Sequence, residues 1–113
     1  MPQAQQLNEP GPIATGPLQP VETAASPPGP GEISIDVAAC AVCRTDLQII
    51  EGDLEAHRLP LVPGHQAVGR VRDVGEGAAG WHPGDRVGVA WLAGACGVCA
   101  SCAVGRENLC EEA

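Results

Sequence analysis

The apolar positions of this 113-residue chain change period along its length, and each period predicts a different element. From Glu32 onward, Ile33, Ile35 and Val37 alternate with Ser34 and Asp36, which is the period of a half-buried strand ending at Cys40. Ala67 to Val74 and Asp85 to Leu92 read as two further strands, joined by a glycine-rich link at 75–84. Between the first two strands, Thr45 to Ile50 contains neither Pro nor Gly, and Thr45 suits an N-cap, so a short helix is expected there. Residues 1–31 hold eight of the eleven prolines and only scattered apolar side chains. They predict an extended, weakly packed arm with room for short edge strands around Ile13 and Val21. Together the elements make a mainly β fold with short helices.

Composition narrows this picture. The chain has no Phe or Tyr and only Trp81 and Trp91, so its core must be built from Val, Ile, Leu and Ala. Such a core is thin, and a bound metal would reinforce it. The length suits one compact unit and is too short for a substrate domain plus a dinucleotide-binding domain. Fourteen acidic residues against six arginines and no lysine give a net charge of -8, which argues against nucleic-acid and membrane partners. With no signal-peptide pattern and no long apolar run, a cytoplasmic location is expected.

The densest chemistry lies at 94–110. Cys96, Cys99, Cys102 and Cys110 follow C-x-x-C-x-x-C-x7-C, with Gly94, Gly97 and Gly105 available for tight turns. Four thiolates at this spacing can converge on one tetrahedral zinc and leave no position for water, which makes the site structural and not catalytic. The alternatives are two disulfides, four reduced thiols, or an iron-sulfur cluster; clustered C-x-x-C steps without a secretion signal favour the metal. Cys40 also forms C-x-x-C with Cys43, but the four distal cysteines can satisfy a metal among themselves, and Cys40 is expected to be a buried strand residue. Gly75-Glu76-Gly77-Ala78-Ala79-Gly80 fits G-x-G-x-x-G, yet Trp81-His82-Pro83-Gly84 would break the helix a phosphate loop must open into, so a turn is expected. His57 and His82 lie in polar loops and are assigned no role.

Five segments occur in a telling order: PGPGE at 28–32, CAVCRTDL at 40–47, LPLVPGHQAVGRV at 59–71, GDRVGVAWL at 84–92, and GRENLC closing the cysteine lobe at 105–110. In order and spacing they resemble the N-terminal, GroES-like part of zinc-dependent medium-chain alcohol dehydrogenases. The resemblance implies a partly open β-barrel at 32–113 that follows the Pro-rich arm, carries a four-cysteine structural zinc lobe and contains no Rossmann domain. It implies that Cys43 and His65 are ligands of a catalytic zinc whose third ligand lies beyond Ala113. That zinc would act as a Lewis acid on an alcohol ahead of hydride transfer to NAD or NADP. Thr45 matches the hydroxyl that hydrogen-bonds the alcohol, Asp46 the carboxylate that orients the His65 ring, and Arg44 the contact to the coenzyme pyrophosphate. Trp91 resembles a substrate-pocket aromatic, with Ile50 and Leu54 as further wall. The ordinary readings of these residues are helix capping, a solvated acid, a surface arginine and core packing.

Gln48 stands where the family usually has a proton-relaying His, and Gln66 where Glu usually follows the His ligand. Neither can pass a proton by changing its own charge. The expectation is therefore a zinc-binding fragment of an alcohol dehydrogenase, inactive alone, whose parent is a homo-oligomer that oxidises an alcohol to an aldehyde or ketone. The alternative is a non-catalytic zinc-stabilised module from a truncated gene.

Overall fold

A computed structural model describes residues 2–92 and 94–113. Five strands and two short α-helices follow in the order β1 (Gln3–Leu7), β2 (Leu18–Glu22), β3 (Ile33–Cys40), α1 (Arg44–Glu51), β4 (Ala67–Val74), β5 (Arg86–Val89) and α2 (Ala100–Ala103). Single 3-10 turns at Ile13–Thr15 and Glu107–Leu109 complete the set. β1 and β2 pair as an antiparallel hairpin, and β3, β4 and β5 form a three-stranded antiparallel sheet in that order. Neither sheet closes on itself among the described residues, so the fold is mainly β and open.

The three-stranded sheet follows the alternation at β4, where Gly69 and Val71 are buried while Val68, Arg70 and Arg72 face out. β3 keeps that alternation only in part. Its register against β4 shifts between Ser34 and Ile35 and again between Val37 and Ala39, and Val37 ends 61% exposed while Ile33 and Ile35 are half-buried. Each bulge adds an unpaired residue and re-aims the side chains after it. Cys40, expected inside, is exposed at the end of that strand. Gly69 lets β3 approach closely, since a Cβ there would stand 2.1 Å from the Asp36 carbonyl oxygen. β5 stops at Val89, short of the expected Leu92.

The N-terminal arm departs furthest from expectation. Leu7 is fully buried, and its N–H and carbonyl pair with those of Leu61 at 2.7 and 3.0 Å. Gly11 N–H donates to the Ile50 carbonyl, and Ile13 N–H to Glu51 Oε1. The arm is thus fastened to α1 and to the 59–64 loop. Ile13 itself sits in a 3-10 turn and not in a strand, whereas the strand around Val21 forms and pairs with Gln3–Leu7. The link at 75–84 is a succession of turns with no helix, as its Trp-His-Pro-Gly sequence requires. No helix among the described residues is long and apolar enough to cross a membrane.

Candidate functional site

Helix α1 and the loop before β4 bring the first constellation together. The N-cap falls two residues earlier than the sequence suggests: Cys43 caps a helix that starts at Arg44, and Thr45 lies within its first turn. The reason is Asp46, whose Oδ2 accepts the Cys43 N–H at 2.9 Å and so supplies half of a capping box. The same carboxylate turns its Oδ1 to His65 Nδ1 at 3.2 Å, a close contact and not an aligned hydrogen bond, since Oδ1 is buried with no hydrogen-bond partner among the described residues. On the other side of the ring, Nε2 lies 3.2 Å from Cys43 Sγ. Trp91 meets the ring edge to face, with centroids 4.8 Å apart and planes at 82°. One buried carboxylate, 4% exposed, thus meets both the Cys43 backbone and the His65 ring.

The geometry separates ligand from support. Cys43, Asp46 and His65 present atoms within 4.8 Å of one another. Asp46, however, faces Nδ1, so an ion held by Nε2 and Sγ lies across the ring from it. Around a tetrahedral zinc, a sulfur and a nitrogen ligand sit about 3.6 Å apart, close to the separation seen here. The donor set fits that ion, with Cys43 and His65 as two ligands and Asp46 behind the imidazole.

The second constellation is the cysteine lobe. The sulfurs of Cys96, Cys99, Cys102 and Cys110 all lie within 4.8 Å of one another, compatible with the roughly 3.8 Å edges of a zinc-thiolate tetrahedron. None of the four is bonded to another cysteine. Gly97 and Gly105 take positive φ, 76° and 75°, at the turns between the ligands. Backbone N–H groups are aimed at sulfur: those of Val98 and Cys99 at Cys96 (3.5 and 3.3 Å), that of Cys102 at Cys99 (3.5 Å), and that of Cys96 at Cys110 (3.4 Å). The Val98 and Cys99 N–H groups hold the Cys96 thiol down to about 6. The Cys102 N–H lowers Cys99, while burial above all pushes Cys102 up to about 12. Without a cation, the four cannot all be thiolates at neutral pH; a divalent ion removes that conflict.

The remaining expected residues are scattered around the first constellation. Arg44 is exposed at the start of α1, and Thr45 is half-buried one residue on. Trp91, 62% exposed, lines a cavity of about 300 Å³ with Ile49, Leu54, Ala56, His57 and Leu61. Ile50 does not join it. At 4% exposure it packs on another face of α1, beside a separate cavity of about 320 Å³ that Leu18, Asp46 and Pro63 also line. The sequence reading missed Ile49 and His57 as neighbours of Trp91. Helical periodicity could have shown that adjacent Ile49 and Ile50 point in different directions, but nothing local signals that the 54–61 loop folds back to Trp91. Gln48 is half-buried on α1 and Gln66 is exposed, its carbonyl accepting the Ala41 N–H.

Residues 29–113 match the family model described as the alcohol dehydrogenase GroES-like domain. The probable alcohol dehydrogenase AdhA of Mycobacterium tuberculosis is 51% identical over 114 residues, covering 96% of this chain and 33% of its own length. An alcohol dehydrogenase of Geobacillus stearothermophilus is 48% identical, over 72% of this chain and 24% of its own. Among solved structures, the cobalt- and zinc-bound thermostable alcohol dehydrogenase from Pyrobaculum aerophilum superposes with a TM-score of 0.85 at 33% identity, over 96% of this chain and 32% of that one. This chain thus spans a third or less of the length of these relatives. From these matches the chain belongs to the alcohol dehydrogenase GroES-like family, and its two clusters of cysteine and histidine side chains lie within the matched residues.

Proposed function

We propose that this chain forms the zinc-binding, substrate-side part of an NAD(P)-dependent alcohol dehydrogenase that interconverts alcohols with aldehydes or ketones. The observation that carries the reading is the Cys43–His65–Asp46 arrangement, with Nε2 and Sγ 3.2 Å apart and the opposite ring nitrogen 3.2 Å from a buried carboxylate. Asp46 keeps the ring proton on Nδ1, which leaves the Nε2 lone pair free for a metal. Zinc bound there supplies a Lewis acid that lowers the pKa of a substrate hydroxyl. Thr45 hydrogen-bonds that hydroxyl and starts the path along which its proton leaves. Gln48 and Gln66 then hold water or a hydroxyl and do not carry charge.

Arg44, exposed at the start of α1, is assigned to the coenzyme pyrophosphate, which suits a forked guanidinium. Trp91 and Leu54 form the apolar wall beside His65. A second zinc at Cys96, Cys99, Cys102 and Cys110 stiffens the lobe of 94–110, while residues 32–113 form the GroES-like body and 1–31 the arm docked on it.

The test is to express the gene's complete reading frame, load it with zinc and follow nicotinamide reduction with primary, secondary and aromatic alcohols. Alcohol-dependent turnover that is lost in Cys43→Ser supports the reading. A zinc-loaded product with no alcohol- or carbonyl-dependent turnover would contradict it.

A further inference from the structure

We propose that Arg70 and Arg86 form an anion site on the exposed face of the β3–β4–β5 sheet, fitted to the phosphate group of a small molecule. The two arginines are direct partners across the β4–β5 ladder, so their side chains leave the same face from α-carbons about 5 Å apart. Like charges placed opposite one another on a sheet repel. Among the described residues the nearby carboxylates have other partners. Asp36, which is in register with Arg70, is engaged by Arg72. Asp73 accepts the Ser34 hydroxyl at 3.1 Å, and Asp85 accepts the His82 N–H at 2.9 Å. Among the described residues, neither Arg70 nor Arg86 has a carboxylate within ion-pair distance. Arg70 is nevertheless held in place, because its Nη1 donates to the Gly84 carbonyl at 2.8 Å. Among the described residues Arg86 makes no side-chain hydrogen bond.

Both arginines line one groove of about 480 Å³, floored by Val68, Gly69, Val87 and Gly88. Two guanidinium groups carried by partner residues of neighbouring strands and lining one groove offer the N–H donors that a tetrahedral dianion accepts. On a chain of net charge -8, a local pair of unneutralised cations is also the surface to which an anion would be directed. The groove continues toward the metal ligands. It shares Val68 and Gly88 with a second groove, of about 470 Å³, that His65 and Trp91 line. From Ala67, which lines the second groove, to Arg70 the strand advances about 10 Å, so an elongated ligand could span both. That such a ligand is an alcohol or aldehyde carrying a terminal phosphate rests on the oxidoreductase reading; the anion site itself does not.

The test is a titration of inorganic phosphate into the zinc-loaded protein at constant ionic strength, following the backbone amides of Val68, Gly69, Val87 and Gly88 by NMR. Saturable shifts confined to these amides are expected, with the dissociation constant raised about tenfold in Arg86→Gln and further in the Arg70→Gln, Arg86→Gln double variant. Arg106→Gln should leave it unchanged. Should Arg70→Gln fail to fold because the Gly84 bond is lost, Arg86→Gln, which breaks no hydrogen bond, carries the test alone. A response that does not saturate, that chloride reproduces, or that Arg86→Gln leaves intact overturns the proposal. None of these readouts depends on dehydrogenase activity.

Discussion

Asp46 serves two roles with one carboxylate: Oδ2 holds the Cys43 N–H, and Oδ1 faces His65 Nδ1. Asp46→Asn keeps the shape but loses the charge that favours a proton on Nδ1. Metal affinity at Cys43 and His65 should fall about 10- to 100-fold, measured by competition with a chelator, while zinc in the distal lobe is retained. Metal loss at both sites together would show that the substitution unfolds the chain. The exposed pair of Arg72 and Asp36 gives a pH prediction with a definite sign. The hydrogen bond from Arg72 holds the Asp36 carboxyl below 3.8, so the folded chain binds fewer protons there than the unfolded chain. Its contribution is complete above about pH 4 and disappears as pH falls through the lower folded value. NMR titration should find Asp36 below the ordinary carboxylate range and returned to it in Arg72→Gln.

At the scale of elements, the sequence made β4 and the centre of α1 legible because their periodicity is local. It misplaced the α1 cap because Cys43 is not a favoured capping residue, and only the contact from Asp46 recruits it. It saw neither the bulges that expose Val37 nor the bridge that buries Leu7, since both depend on residues more than thirty positions away. The candidate site divides in the same way. That Cys43 lies by His65 and that the four distal cysteines cluster could be read from spacing and resemblance, whereas the separation of Ile50 from Trp91 required the folded helix. Two substitutions probe these long-range contacts. Gly69→Ala would place a methyl 2.1 Å from the Asp36 carbonyl oxygen, and backbone cannot yield as a flexible side chain can. It should cost about 1–3 kcal/mol or more and separate β3 from β4, visible as faster amide exchange in both strands. Leu7→Ala should cost about 2–5 kcal/mol in denaturant melts, a large effect for an arm that the sequence alone portrays as loose.

The whole molecule is thinly cored. Leu7, Ile50, Val71 and Cys110 are its buried apolar side chains among the described residues. Its Cα radius of gyration, 15.9 Å, exceeds the roughly 13 Å expected of a compact domain this long. Val68, Val89, Trp91 and Leu109 are all more than 40% exposed. With so little apolar surface removed from water, a metal bound by the four clustered cysteines would be a large part of what holds residues 94–113 in place. The most direct measurement is the metal content and coordination of protein purified under reducing conditions, by elemental analysis and zinc X-ray absorption. The account predicts one tightly held zinc per chain with four sulfur ligands at about 2.3 Å, lost in Cys96→Ser. Protein that is folded yet free of zinc, or whose tightly held zinc survives Cys96→Ser unchanged, would contradict it.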